Sequence, residues 1–116
     1  MKVNVDKLNG KVLRDTEVYV VEDNTTLNNL TLSKTILHPG KCTSGHTHPG
    51  LEEVYFFTSG YGTMQLNEDK FPVQSGDIVL IPDGAFHKVY NESTWSSQEN
   101  SKTDLVFVCV FQKYDR

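Results

Sequence analysis

The feature that most constrains this chain is a succession of short β-forming runs with turn residues between them. Glu17 to Glu22 (EVYVVE), Leu30 to Leu37 (LTLSKTIL), Val54 to Phe57, Gly62 to Leu66, Ile78 to Ile81, Phe86 to Tyr90 and Leu105 to Phe111 (LVFVCVF) are rich in β-branched and aromatic residues, which pack well on a pleated surface. Asp23-Asn24, Pro39-Gly40, Pro49-Gly50, Ser59-Gly60, Ser75-Gly76 and Asp83-Gly84 separate them and favour the backbone angles of tight turns. No segment sustains a helical apolar repeat. The expectation is an all-β sandwich or barrel, which strand count alone does not resolve further. At 116 residues the chain fits one domain, 1–116, long enough for a real core and too short for two.

One stretch departs from this rhythm. Asn91 to Asp104 (NESTWSSQENSKTD) is polar, low in β propensity and longer than a hairpin needs, so it reads as an exposed loop. Trp95 is its one large apolar residue. It either folds back on the barrel or belongs to a lid or a subunit contact.

Composition excludes several functions. The formal charge of −4 is scattered along the sequence, with no block of lysines or arginines to track a phosphate backbone, so nucleic acid is not an expected partner. The N-terminal MKVNVDKLNG lacks the apolar run of a signal peptide, and nothing approaches a membrane span; the expectation is a soluble, cytoplasmic protein without a membrane partner. Cys42 and Cys109 lie far apart and form no CxxC pair, which suits reduced thiols better than a disulfide or zinc knuckle. Asn24-Thr25-Thr26 and Asn91-Glu92-Ser93 are then incidental sequons.

Residues 45–60, GHTHPGLEEVYFFTSG, concentrate the chemistry. Side chains two apart on a strand share a face, so His46 and His48 point the same way with Cα atoms about 6.5–7 Å apart and can share an ion. Glu52 and Glu53 must face opposite sides of a regular strand, so only one of them can join. Alternation does not say which: Val54 and Phe56 are as apolar as Tyr55 and Phe57, and the strand looks covered on both faces.

Residues 40–60, GKCTSGHTHPGLEEVYFFTSG, resemble the first cupin motif, G(x)5HxH(x)4E(x)6G, at Gly40, His46, His48, Glu53 and Gly60. Residues 76–91, GDIVLIPDGAFHKVYN, resemble the second, G(x)5PxG(x)2H(x)3N, at Gly76, Pro82, Gly84, His87 and Asn91. The resemblance implies a cupin-type double-stranded β-helix, or jelly-roll barrel, with a metal near the open end of its interior. By motif position it makes His46, His48, Glu53 and His87 the ligands and Glu52 the outward neighbour. Gly60, Gly76 and Gly84 then supply turns, Pro82 fixes the backbone ahead of His87, and Asn91 caps a turn without touching the metal. His38 matches no motif position and reads as a surface or hydrogen-bonded histidine.

Three neutral imidazoles and one carboxylate leave a net charge near +1 on one divalent ion, which a barrel interior can hold. Nitrogen and oxygen ligands without thiolate suit manganese, iron, cobalt, nickel or zinc, and a six-coordinate ion would keep two positions open for a small-molecule substrate. EEVYFFTSGYGTMQL and the LVFVC run are similar to small cupins assigned as mannose-6-phosphate or related sugar isomerases, in which the ion acts as a Lewis acid on an open-chain sugar. An Fe(II)-dependent dioxygenase and a non-catalytic small-molecule binding cupin are the alternatives. Tyr55 and Lys88 stand near the ligands, but Lys88 should face away from His87, and neither is assigned as catalytic. Tyr55, Phe57, Met64, Phe86 and Val89 are the expected cavity walls, a lining with few charges. With Arg14 and Arg116 the only arginines, no phosphate-binding pair is evident. Homodimer formation through an edge strand or a sheet face is a further expectation from the resemblance, with Leu105 to Phe111 either serving it or lining the interior.

Overall fold

The computed structural model describes residues 1–91 and 103–114. Its strands, in chain order, are β1 (Lys11–Asp15), β2 (Tyr19–Asn24), β3 (Leu30–Leu37), β4 (Glu53–Ser59), β5 (Tyr61–Leu66), β6 (Asp69–Gln74), β7 (Ile78–Ile81), β8 (His87–Tyr90) and β9 (Leu105–Gln112). They form a six-stranded sheet ordered β1-β2-β3-β9-β4-β7 and a three-stranded sheet ordered β6-β5-β8, with every strand pair antiparallel. This is the expected all-β jelly-roll barrel. Among the described residues no helix is long and apolar enough to cross a membrane.

The long strands β3 and β9 lie side by side from Leu30 opposite Gln112 to Leu37 opposite Leu105. Alternation on them builds the interior. Leu37, Leu105 and Phe107 are buried, and the Phe107 ring stacks on Tyr55 at 5.1 Å and packs against Phe57 at 5.2 Å. Met64 of β5 and Val89 of β8 close the core from the smaller sheet. The inward positions of β3 before Leu37 are Thr31, Ser33 and Thr35, all buried, so this part of the interior is lined by hydroxyls.

β4 is not covered on both faces, contrary to the sequence expectation. Glu53, Tyr55 and Phe57 are buried, while Val54 and Phe56 face outward at 38% and 44% exposure. Two strands lack a signal in the sequence. β1 is exposed throughout, and β6 carries Pro72. Both are sheet edges, where a missing amide or a polar strand is tolerated.

The segment before β4 is irregular but paired to β8. Cys42 bridges Tyr90 and His46 bridges His87. At the far end of β8 Asn91 is fully buried and donates through Nδ2 to the carbonyls of Leu37 and Thr103, each at 2.8 Å. One side chain thereby ties the end of β3 to the approach to β9, a structural role, though as a tie between segments where a turn cap was expected. Trp95 and most of the proposed loop, residues 92–102, lie outside the described residues, as does Arg116.

Candidate metal centre

Three local devices bring the motif residues together. The first is the backbone bridge between His46 and His87, whose amides donate to each other's carbonyls at 3.1 and 3.0 Å. It places a histidine from the irregular segment beside one from β8. Gly45, immediately before His46, has φ +79°, and a Cβ there would come within 2.7 Å of the Phe86 ring; a side chain at this turn would be both strained and crowded. The second device is the Gly50 amide, which donates to Asp83 Oδ1 at 2.7 Å and ties the Pro49-Gly50 turn after His48 to the turn before His87. The third is β4, whose alternation turns Glu53 inward and leaves Glu52 exposed.

The result is a cluster. One ring nitrogen from each of His46, His48 and His87 lies within 4.8 Å of the other two, and the ring centroids are 5.1 to 5.5 Å apart. Glu53 Oε2 is 3.0 Å from His87 Nε2 and 4.0 Å from His48 Nε2. The structure thus brings together all four residues singled out in the sequence. His38 sits elsewhere, its Nδ1 paired with Asp104 Oδ1 at 3.0 Å.

These residues fit a divalent ion on their own chemistry. Glu53 Oε2 and His87 Nε2 are buried and close, yet among the described residues neither has a hydrogen-bond partner. Two buried polar atoms left this way are costly unless something lies between them. On the opposite side of its ring His87 Nδ1 contacts the Ala85 carbonyl at 3.1 Å; a carbonyl only accepts, so Nδ1 carries the proton and Nε2 presents its lone pair to the cluster.

The electrostatics agree. Burial alone would raise the Glu53 carboxyl, but His87, His48 and His46 together hold it below the usual carboxylate range. Burial would lower His87, but the Glu53 carboxylate and the Ala85 carbonyl raise it above an ordinary imidazole. Tyr55, edge-on to His87 at 5.5 Å, is pushed well above an ordinary phenol, mainly by burial and further by Cys109 and Glu53. It stays protonated at neutral pH.

The cluster borders a cavity of about 420 Å³, and the walls differ from those expected. Of the named wall residues only Tyr55 lines it. Phe57, Met64 and Val89 are core, and Phe86 borders a separate shallow depression beside Gln65 and Asn67. The walls come instead from Tyr19 and Val21 of β2, Ser33 and Thr35 of β3, the Thr43-Ser44 segment and the aromatic Phe107, Phe111 and Tyr114, with Arg14 of β1 as well. Lys88 reaches away over the Tyr90 ring at 5.0 Å, as expected. Among the described residues neither Cys42 nor Cys109 forms a disulfide, and Cys109 lies in the cavity wall. Sequence reasoning missed Arg14 and the hydroxyl wall because β1 has no apolar pattern and the inward face of β3 cannot be told from its composition.

A double-walled β-barrel with three converging histidines and a carboxylate defines a class of protein before any comparison is made. The sequence profile of the family described as "Cupin domain" matches residues 33–97, more than half the chain. The chain belongs to the cupin family. It is 38% identical over 60 residues to Uncharacterized protein MJ1618 of Methanocaldococcus jannaschii, a match covering 52% of this chain and about half, 48%, of that relative. Among solved structures it resembles a conserved protein with a double-stranded β-helix domain from Klebsiella pneumoniae, with TM-score 0.75, 19% identity and coverage of 96% of this chain and 88% of the other. A candidate sugar phosphate isomerase from Acidithiobacillus ferrooxidans aligns at TM-score 0.66 and 26% identity, over 83% of this chain and 61% of that one.

Proposed function

We propose that the protein holds one divalent transition metal ion through His46, His48, Glu53 and His87 and acts on a small, oxygen-rich substrate, in the manner of a sugar or sugar-phosphate isomerase. The observation that carries this is the convergence of four nitrogen and oxygen donors beside a cavity walled by hydroxyl groups. When bound, such an ion would supply Lewis-acid polarisation of a substrate hydroxyl or carbonyl oxygen.

The chain's own residues orient the substrate. Ser33, Thr35, Thr43 and Ser44 line the cavity and can each donate to or accept from a polyol. Tyr55 is held protonated, so its hydroxyl can donate a hydrogen bond and does not serve as a base at neutral pH. Phe107 and Phe111 line the cavity as buried rings that limit water. This lining favours a hydroxylated substrate over an apolar one. The similarity to the Acidithiobacillus protein points the same way.

The test is to purify the protein, measure its bound metal, and assay it with and without oxygen. Oxygen-independent interconversion of an aldose phosphate and a ketose phosphate by the manganese or zinc form is the expected result. Ferrous-dependent oxygen consumption would replace this function with that of a dioxygenase, and saturable ligand binding with no turnover would replace it with that of a binding protein.

A further inference from the structure

We infer that Arg14 forms an anion subsite in the same cavity as the histidine cluster. The ligand is then a small oxygenated acid, whose carboxylate or phosphate pairs with the guanidinium while its oxygen-bearing end reaches the histidines. This rests on the metal centre proposed above as the place where the ligand reacts.

The placement of Arg14 is built into the backbone. In β1, Lys11 stands opposite Asp23 and Val12 opposite Glu22, and unbroken alternation would next put Leu13 opposite Val21. Instead a register shift between Val12 and Arg14 puts Arg14 opposite Val21 and Asp15 opposite Val20. Val21 lines the cavity and so does Arg14, whereas Leu13 does not. The extra residue of a β-bulge re-aims the side chain that follows it. Here it turns an arginine toward the cavity and leaves Leu13 46% exposed to water, the opposite of what burial of apolar surface favours.

The charges point to the same ligand. Among the described residues, and apart from the histidines, Arg14 is the one cationic side chain bordering the cavity, and Glu53, within the cluster, is the one carboxylate. Among the described residues Arg14 has no ion pair, although Asp15 and Glu17 are close in sequence. A planar fork of N–H donors, unpaired at a cavity mouth, matches a carboxylate or a phosphate in two-point geometry.

The experiment uses metal-loaded full-length protein in titration calorimetry with three probes: succinate, glycerol 3-phosphate and uncharged erythritol. At least one anion should bind, and Arg14→Gln should weaken it tenfold or more while metal content and the response to erythritol stay as in the wild type. The stronger of the two anions identifies the charged group. A second variant exchanges neighbours, Leu13→Arg with Arg14→Leu, which keeps net charge and composition but moves the guanidinium to the outer face; its loss should equal that of Arg14→Gln. Wild-type affinity in either variant, or no binding of either anion to the wild type, overturns the subsite. Metal content separates the two proposals: Arg14-dependent binding without bound metal defeats the metal centre alone, and retained metal without an Arg14 effect defeats the subsite alone.

Discussion

Glu53 is a buried carboxylate facing three imidazoles, and its chemistry can be altered with little change of shape. Glu53→Gln keeps the volume but removes the negative charge, so metal affinity should fall at least about tenfold; equilibrium dialysis of the two proteins measures this. In chelator the same substitution removes the coupling of Glu53 to His87. The His87 pKa is raised from its ordinary 6.5, so its contribution to stability is complete below that value and is lost as pH rises through the folded pKa. The Glu53 pKa is lowered from its ordinary 4.5, so its contribution is complete above that value and is lost as pH falls through the folded pKa. For these two groups the metal-free protein should therefore melt highest between about pH 4.5 and 6.5, and Glu53→Gln should flatten that maximum. Metal affinity runs the other way at the upper limit, rising with pH as the proton leaves His87. His48→Ala should lose bound metal and melt lower than the wild type in the presence of the ion, with the two proteins converging once a chelator is added; unchanged metal content would count against the ligand set.

The strands carry these residues, and one turn between them is a sensitive point. Gly60 joins β4 to β5 at φ +81°, and a Cβ there would run into the Asp104 carbonyl oxygen. Gly60→Ala should destabilise the fold by at least about 1–3 kcal/mol in denaturant unfolding, since neither the backbone angle nor the contact relaxes cheaply. Most of this level was legible beforehand. β3 and β7 run over the residues expected, because dense β-branched composition between turn pairs leaves little freedom, and β9 extends one residue past its expected end. β1 and β6 were not legible: KVLRD is exposed throughout and offers no apolar face, and in DKFPVQ the inward pair Phe71 and Val73 is split by Pro72, which reads against a strand. The four converging residues could be named because motif spacing encodes which histidines meet, although alternation alone left Glu52 and Glu53 equivalent. The cavity walls were misjudged for a physical reason. Ser33 and Thr35 do not announce which way they face until the pairing of β3 with β9 is known, and a bulge shifts the parity of β1 without a mark in the sequence.

At the scale of the molecule, the outer face of the larger sheet is conspicuously apolar. Ile78 and Leu80 of β7, Phe56 and Val54 of β4 and Val110 of β9 are all exposed and adjacent across the registers of these strands. Among the described strands β7 is also a sheet edge. We propose this surface as the one on which a second copy of the chain pairs, the homodimer being an expectation from the resemblance to cupins. Sedimentation should then show a dimer, and Leu80→Lys with Phe56→Lys should yield a monomer that still retains the metal; a monomeric wild type would refute the pairing. The barrel also divides its labour along the chain. The four cluster residues all fall within the stretch shared with the family, residues 33–97, whereas Arg14, Tyr19 and Tyr114 at the cavity border lie before or after it. The stretches flanking the shared core thus frame the doorway while that core holds the hearth, so new preferences for what enters can arise by editing those flanks with the histidine cluster left untouched.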